Sequence, residues 1–158
     1  MLKTCASVSS ANNVRYTDKL TVGELMLKDV ITAKESDNVQ QVYVRMLEGR
    51  FRHMPVVKAG RLVGIVSDRD LRNALVIFHD GEGKKEIVGN RQLNVAKIMT
   101  REPLVADSGD SVKTAVRLMV KHKVGCLPVC DDDGRLLGLI TETDMLRLLE
   151  ELLTVKKK

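Results

Sequence analysis

Gly60-Arg61-Leu62-Val63-Gly64-Ile65-Val66 returns later in the chain as Gly134-Arg135-Leu136-Leu137-Gly138-Leu139-Ile140, at an offset of 74 residues (134 − 60). Upstream of these two heptapeptides the same agreement holds at an offset of 73, where Pro55 aligns with Pro128 (128 − 55). One extra residue in the acidic turn that ends at Gly134 accounts for the change. Because agreement at a nearly constant offset is the signature of an internal repeat, the chain predicts two copies of one structural unit.

The two copies span about 22–78 and 95–153 and predict the same order of elements, β-α-β-β-α. A short extended piece comes first, and apolar residues then recur over Val39–Leu47 at the spacing of an amphipathic helix. Two short apolar strands follow around a turn at Gly60, which has the size of a hairpin loop. We therefore expect the first strand to pair in parallel across the helix, and the hairpin to be antiparallel.

A second helix closes each unit. It is predicted to begin at Ser67 in the first copy, with an apolar stripe that continues to Phe78, and at Thr141 in the second. A unit of this size is marginal alone, so the two copies are expected to pack sheet against sheet around one shared core. The predicted fold class is α/β (α+β), with two repeats packed by pseudo-two-fold symmetry into one module. Clefts between the copies are the expected place for a ligand.

The composition predicts five segments along the chain. Glycines and lysines replace the apolar pattern between the two copies, as expected for a linker. The segments are a flexible N-terminal arm at 1–18, repeat 1 at 19–78, a linker at 79–92, repeat 2 at 93–153 and a basic tail at 154–158.

The net charge of +5 suggests nucleic acid, but its distribution argues against that partner. Lys156–Lys158 supply three of these charges and the N-terminal arm supplies one, so the body carries about +1 (5 − 3 − 1). This is too little for a domain-wide basic field. Trp is absent, and two Tyr and two Phe offer few stacking platforms for a single strand.

Three cysteines, Cys5, Cys126 and Cys130, form no even disulfide framework and favour a reducing, cytoplasmic location. Two strand positions four residues apart lie about 13 Å from each other, which is too far for ligands of one tetrahedral zinc ion. Cys126 and Cys130 are therefore predicted to be core residues. Apolar runs such as Leu62–Val66 are too short to cross a bilayer, and no secretory signal is expected at the start of the chain.

The repeat resembles a known family. The segments Phe51–Val57 and Gly64–Arg72, with their counterparts Val124–Val129 and Gly138–Asp144, look like a tandem CBS-domain pair, also called a Bateman module. The resemblance covers nearly all of Thr21–Leu153 and is in register in both copies. The run Gly64–Arg72 is similar to that in the CBS pair of inosine monophosphate dehydrogenase, and the overall layout resembles stand-alone bacterial or archaeal pairs of the acetoin-utilisation regulator type.

The resemblance implies a non-catalytic regulatory or sensor module that binds adenine nucleotides or related adenosyl ligands between the repeats. AMP, ADP and ATP are the first candidates, followed by NAD and S-adenosylmethionine. In this family a [Ser/Thr]-x-x-Asp motif opens the second helix, and its carboxylate holds the ribose hydroxyls; Ser67/Asp70 and Thr141/Asp144 match it. An ionised carboxylate suits two vicinal hydroxyls because charge-assisted hydrogen bonds are strong. The same pattern is close to a helix capping box, so capping is an alternative that can coexist with binding.

The residues before each proline are the other family position. Arg52 and His53, with Arg69 nearby, predict that the first site takes the more highly charged ligand, because Gly125 and Cys126 cannot neutralise phosphate. A solvated strand edge is the alternative interpretation of Arg52 and His53. The complete set of expected ligand-binding residues is Ile31, Thr32, Arg52, His53, Met54, Pro55, Ser67, Arg69, Asp70, Leu104, Val105, Gly125, Cys126, Leu127, Pro128, Thr141, Thr143 and Asp144.

Other functions fit the sequence less well. An enzyme is not favoured, because no nucleophile–base pair, metal cluster or phosphate loop is found and the repeats occupy the chain. No cofactor is expected to be required, no metal and no membrane are expected, and an adenine nucleotide is the expected regulatory ligand. A homodimer of modules and an unidentified protein target are the expected macromolecular partners. The alternative is a nucleic-acid-binding or purely scaffolding module that uses Arg50, Arg52, Lys121, Lys123 and the lysine tail.

Overall fold

The computed structural model describes residues 20–79, 85–88 and 93–154, with the side chains of 76–79 and 85–88 left out. The predicted arm at 1–18 lies outside the described residues. So do 80–84 and 89–92 of the predicted linker and 155–158 of the predicted tail.

Repeat 1 folds as the periodicity predicts, apart from its last helix. Asn38 caps the second helix by accepting hydrogen bonds from the N–H groups of Gln40 and Gln41. Ala33 pairs in parallel with Val56, which confirms the predicted parallel first strand as a single bridge. The elements are α1 (Val22–Leu25), α2 (Val39–Gly49), β1 (His53–Lys58), β2 (Arg61–Ser67) and α3 (Asp68–Ala74), with β1 and β2 antiparallel.

The second helix of repeat 1 is shorter than predicted. α3 ends at Ala74, and Leu75 is already extended, with φ −111° and ψ 141°. A strand β3 (Val76–His79) follows and pairs antiparallel with β4 (Lys85–Val88). The prediction of a helical stripe through Phe78 is therefore wrong, because a Val-Ile-Phe run favours a strand over another helical turn. Part of the predicted linker belongs to this hairpin.

Repeat 2 has the same order of elements. Ser111 caps its first helix by accepting a hydrogen bond from the N–H of Thr114. Its strands and helices are β5 (Thr100–Arg101), β6 (Ala106–Asp107), α4 (Val112–His122), β7 (Cys126–Cys130), β8 (Leu136–Thr141) and α5 (Glu142–Thr154). β6 is parallel to β7, and β7 is antiparallel to β8. No helix in the described part of the chain has the length and apolar character needed to cross a membrane.

The buried residues form two clusters. Each cluster belongs to one repeat and also contains the first residues of the other repeat, which we call its leading segment. Val22, at the start of repeat 1, packs with Ala106, Leu127 and Ile140 of repeat 2. Val95 and Met99, at the start of repeat 2, pack with the buried residues of repeat 1. The predicted single shared core is therefore wrong, because each repeat covers its sheet with its own helices and the leading segment of its neighbour.

Backbone hydrogen bonds confirm the predicted pseudo-two-fold symmetry. The N–H of Leu62 donates to the carbonyl of Gly134 at 3.0 Å, and the N–H of Leu136 donates to the carbonyl of Gly60 at 3.2 Å. If each residue is replaced by its equivalent in the other repeat, the first hydrogen bond becomes the second, as two-fold symmetry requires. The leading segments obey the same rule, as Val22 N–H to Asp110 O at 2.8 Å matches Val95 N–H to Asp37 O at 2.9 Å.

Two glycines allow each leading segment to lie against the other repeat. Thr100 pairs with Ile65 next to Gly64, and Leu27 pairs with Leu139 next to Gly138. A Cβ atom on Gly64 would lie 2.9 Å from the carbonyl oxygen of Thr100, and one on Gly138 would lie 2.6 Å from that of Leu27. Glycine is required at both places because the two backbones approach too closely for a side chain.

Candidate functional site

A cavity of about 570 Å³ lies between the repeats at the start of α3. Its wall takes Arg52, His53 and the first residues of α3 from repeat 1, and Gly125, Cys126 and Glu142 from repeat 2. This volume is in the range of small-molecule sites, which often form where two units meet. Nine of the predicted positions line it: Arg52, His53, Ser67, Arg69, Asp70, Leu104, Gly125, Cys126 and Pro128.

The cavity brings together residues that the sequence pattern divided between two sites. Arg52 and His53 were expected in one cleft, and Gly125 and Cys126 in the other. Their hairpins meet near the pseudo-two-fold axis, where a Cβ on Gly125 would lie 3.4 Å from Cε1 of His53. The four residues therefore share one cavity, and the arginine and histidine stand beside the glycine and cysteine.

The other nine predicted positions do not line this cavity. Met54, Pro55 and Leu127 are buried within their sheets and do not line the cleft. Ile31 and Val105 are exposed, and Thr141 and Asp144 form the start of α5. The complete set outside the wall is Ile31, Thr32, Met54, Pro55, Val105, Leu127, Thr141, Thr143 and Asp144.

The start of α3 is a capping box whose carboxylate keeps one free oxygen. Ser67 Oγ accepts from the N–H of Asp70 at 3.2 Å. In return, Asp70 Oδ2 accepts from the N–H of Ser67 at 2.9 Å and from its Oγ at 2.6 Å. Oδ1 of Asp70 makes no hydrogen bond to the described residues. The capping interpretation is thus confirmed, and one oxygen of the same carboxylate is still available to a ligand.

The start of α5 repeats this geometry. Asp144 Oδ2 accepts from the N–H of Thr141 at 2.8 Å and from its Oγ1 at 2.7 Å, and Thr141 Oγ1 accepts from the N–H of Asp144 at 3.4 Å. Here, however, Oδ1 lies 3.8 Å from Nη1 of Arg147. The two carboxylates are therefore held alike but differ in what surrounds their second oxygen.

A glutamate that the sequence pattern did not single out completes the wall. Oε1 of Glu142 accepts a hydrogen bond from Nη2 of Arg52 at 3.1 Å, so this ion pair joins the two repeats. Glu142 is equivalent to Asp68 at the offset of 74 (142 − 68), and Asp68 also lines the cavity. The equivalence with Asp68 could have indicated Glu142 from the sequence. It did not stand out, because acidic residues are common in the first turn of a helix.

His53 and Cys126, which are equivalent in the two repeats, have shifted pKa values for different reasons. Burial, followed by the charge of Arg52, lowers the pKa of His53, while Asp68, Glu142 and Asp70 act in the opposite direction. Burial and the charge of Glu142 raise the pKa of Cys126 to about 12. The Cys126 thiol is therefore neutral at pH 7 and a poor nucleophile. Cys126 and Cys130 are buried and free, as predicted for core cysteines.

The sequence model of the CBS domain family matches residues 22–77 and 95–151, which correspond to the two copies of the repeat. The chain belongs to the CBS domain family. The predicted tandem CBS pair and its mixed α/β fold are confirmed by this match and by the solved CBS pairs.

Relatives of this CBS pair occur alone and within longer proteins. The chain is 33% identical over 130 residues to the uncharacterized protein MJ1225 of Methanocaldococcus jannaschii, covering 80% of this chain and 46% of that protein. A CBS domain-containing protein of Dictyostelium discoideum is 36% identical over 138 residues, or 85% of this chain and 94% of that one. Inosine-5′-monophosphate dehydrogenase of Mycobacterium tuberculosis is 34% identical over 133 residues, or 83% of this chain and 22% of the enzyme. The chain thus spans less than half of MJ1225 and about a fifth of the dehydrogenase.

Three similar solved structures contain adenosyl ligands. The CBS domain pair of protein MJ0100, in complex with 5′-methylthioadenosine and S-adenosyl-L-methionine, has a TM-score of 0.69 at 26% identity and covers 83% of this chain and 96% of that one. CBSX2 in complex with AMP has a TM-score of 0.69 at 28% identity, with 84% and 98% covered. The cytosolic domain of the Mg2+ channel MgtE in complex with ATP has a TM-score of 0.66 at 25% identity, with 86% and 51% covered.

Proposed function

We propose that this CBS pair is a non-catalytic sensor that binds an adenosyl ligand in the cavity between its repeats. The observation that carries the proposal is Asp70, whose Oδ1 has no hydrogen-bond partner among the described residues and which lines a cavity together with Arg52 and Arg69. A carboxylate is a strong acceptor for the two hydroxyls of a ribose, and cationic side chains near the 5′ end would stabilise a 5′-phosphate. The adenosyl ligands of MJ0100, CBSX2 and MgtE support the same class of ligand.

The wall offers a separate surface for each part of such a ligand. In this proposal Asp70 accepts hydrogen bonds from the ribose diol, and Arg52, Arg69 and Lys123 face the 5′ end. The adenine ring lies against the apolar part of the wall, formed by Ile65, Pro103, Leu104 and Pro128. Each hydrogen bond to the charged carboxylate contributes about 1.5–3 kcal/mol to the binding free energy of the ligand.

Catalysis is not part of this proposal, in which Ser67 acts as a helix cap and Cys126 as a neutral thiol of the wall. The Ser67 hydroxyl donates to Asp70, and the pKa of the Cys126 thiol is raised to about 12. The output is instead a change in how the repeats lie relative to each other. A ligand shifts that equilibrium only by the difference between its affinities for the two arrangements. Contacts from both repeats to one ligand provide such a difference.

The experiment is a thermal-shift and calorimetry series with AMP, ADP, ATP, NAD and S-adenosylmethionine on the full chain. At a concentration 100 times its Kd, a ligand of the native state stabilises that state by about 2.7 kcal/mol, and the Tm rises accordingly. Asp70→Ala is expected to abolish the shift. Asp144→Ala, the matched change outside the cavity wall, is expected to preserve it. The proposal fails if no adenosyl compound raises the Tm, and a rise with RNA or DNA instead would favour the nucleic-acid alternative.

The finer organisation of the module is also a proposal. We place the repeats at 19–78 and 93–153 and infer a homodimer through α5, whose Leu146, Leu149 and Leu153 are 63%, 49% and 62% exposed. Such a row of exposed apolar side chains on one helix is typical of an interface. Free buried thiols support a reducing compartment such as the cytoplasm. Sedimentation equilibrium of the wild type and of Leu149→Glu tests the dimer, which the charged side chain should dissociate.

A further inference from the structure

One ion pair connects the two repeats across the cavity. Arg52 precedes β1 in repeat 1, and Glu142 is the first residue of α5 in repeat 2. Their side chains are 60% and 54% exposed, and Nη2 of Arg52 donates to Oε1 of Glu142 at 3.1 Å. A pair this exposed contributes little stability, so its charges can exchange partners at low cost. A ligand phosphate near Arg52 would compete directly with Glu142.

The rest of the wall favours a ligand with little negative charge. Three side chains of the wall are cationic and four are carboxylates, but Asp68 is neutralised by Arg72 outside the wall, so the formal sum is zero with His53 neutral (3 − 4 + 1). Asp68 already forms an ion pair with Arg72, one turn later in α3, where Oδ2 of Asp68 lies 2.9 Å from Nη2 of Arg72. Arg72 does not line the cavity. Within the described residues, Glu142 is the carboxylate that pairs with a cation of the wall. The charged residues of the wall are Arg52, Arg69, Lys123, Asp68, Asp70, Glu102 and Glu142.

We propose that Glu142 selects adenosyl ligands by the charge of their 5′ end, an inference that rests on the proposed function. In the unliganded protein Glu142 holds Arg52. A ligand with an uncharged or cationic 5′ group binds without breaking this pair, and a single phosphate replaces Glu142 on Arg52. A polyphosphate adds several negative charges to a wall whose cations are already balanced by carboxylates. The preferred class is therefore an adenosyl ligand with no more than one phosphate, and the phosphate breaks the Arg52–Glu142 ion pair between the repeats.

The test compares ligands that differ in phosphate number, with calorimetry on the full chain in Mg2+-free buffer at low salt. The series is 5′-methylthioadenosine, AMP, ADP and ATP. For the wild type we expect 5′-methylthioadenosine and AMP to bind more tightly than ATP. For Glu142→Gln the affinity for 5′-methylthioadenosine should stay within about twofold, while that for ATP should rise about tenfold, because one like charge is removed from the wall.

Two further variants separate a charge effect from a structural one. Glu151→Gln removes the same charge from an exposed position farther along α5 and should leave all four affinities unchanged. Arg52→Gln combined with Glu142→Gln should lose much of the tenfold gain for ATP, because Glu142 acts partly by occupying Arg52. The side chains of Arg52 and Glu142 are both more than half exposed, so neither Arg52→Gln nor Glu142→Gln removes buried packing.

The outcomes for the two proposals are distinct. If Glu142→Gln changes the affinities for 5′-methylthioadenosine and ATP by the same factor, or changes neither, the role of Glu142 is wrong. The proposed function survives that result as long as Asp70→Ala still abolishes binding. If neither these four compounds nor NAD and S-adenosylmethionine bind the wild type, the proposed function itself is overturned, and the role of Glu142 falls with it.

Discussion

The helices α3 and α5 begin with the same capping hydrogen bonds, yet the capping aspartate lines the cavity only in α3, whereas α5 contributes Glu142 to the wall. Asp70 and Asp144 each accept from the N–H and the hydroxyl of the residue three positions earlier. Beyond these contacts, Asp70 shares a wall with Arg52, and Asp144 lies beside Arg147. The difference teaches that the four-residue motif determines local geometry, whereas the neighbours brought in by the other repeat determine what the carboxylate can bind.

The largest expected contrast is in packing. Leu71 of α3 is fully buried, whereas its equivalent Met145 in α5 is partly exposed. Leu71→Ala should lower the free energy of unfolding by about 2–5 kcal/mol, through lost burial and the cavity it leaves. Met145→Ala should cost only about 1 kcal/mol, since less area returns to water. Urea unfolding followed by circular dichroism measures both, and equal losses would show that α5 is buried in solution by a partner.

A smaller contrast separates capping from binding. Ser67→Ala and Thr141→Ala each remove one capping hydroxyl, so each should lower the free energy of unfolding by about 1 kcal/mol. Their effects on ligand affinity should differ, because Ser67 orients Asp70 in the cavity wall and Thr141 lies outside it. Calorimetry with AMP should show a weaker complex for Ser67→Ala alone. Equal weakening by both substitutions would mean that the start of α5 also holds this ligand.

The smallest effect concerns pH, and it compares His53 with Cys126. Because the pKa of His53 is lowered in the folded protein, the unfolded state takes up the proton first on acidification. The contribution of His53 to the free energy of unfolding is therefore complete at about pH 7. It decreases as the pH falls through the ordinary histidine pKa of about 6.5, down to the lowered value.

Urea unfolding between pH 7.5 and 5.5 tests this dependence. His53→Gln should flatten the profile, because the residue that titrates is gone. Cys126→Ala should keep the slope, since the pKa of the Cys126 thiol is about 12 and no proton is exchanged in this range. Arg52, Asp68, Asp70 and Glu142 surround His53 and stay in place in both variants. An unchanged slope in His53→Gln would assign the pH dependence to another group.

The sequence predicted the elements that local pattern controls. The offset of 73 to 74 residues placed both hairpins, the amphipathic helices and the equivalence of Ser67 with Thr141. It also predicted half of the cavity wall, because Arg52, His53 and Asp70 lie at positions fixed by the repeat. Where β-branched residues end a helical stripe, as at Val76, periodicity alone predicted one turn too many.

What the sequence did not predict depends on contacts between distant segments. Val22 and Val95 read equally well as part of their own repeat, and nothing local shows that each is buried in the other. For the same reason the pattern placed Gly125 and His53 in different clefts, although they adjoin. The role of Glu142 depends on Arg52 of the other repeat, whose Nη2 lies 3.1 Å from Oε1 of Glu142, and no local pattern indicates this contact.

The crossed leading segments also bear on ancestry. A gene for one such unit would have encoded a chain that could not close its own interior, because the segment around Val22 or Val95 fills a neighbour's interior instead. Two identical chains would have traded these segments and formed a symmetric pair with two identical grooves. Joining the two copies in one gene released them from that symmetry. One copy could then keep an arginine and a histidine where the other now has a glycine and a cysteine.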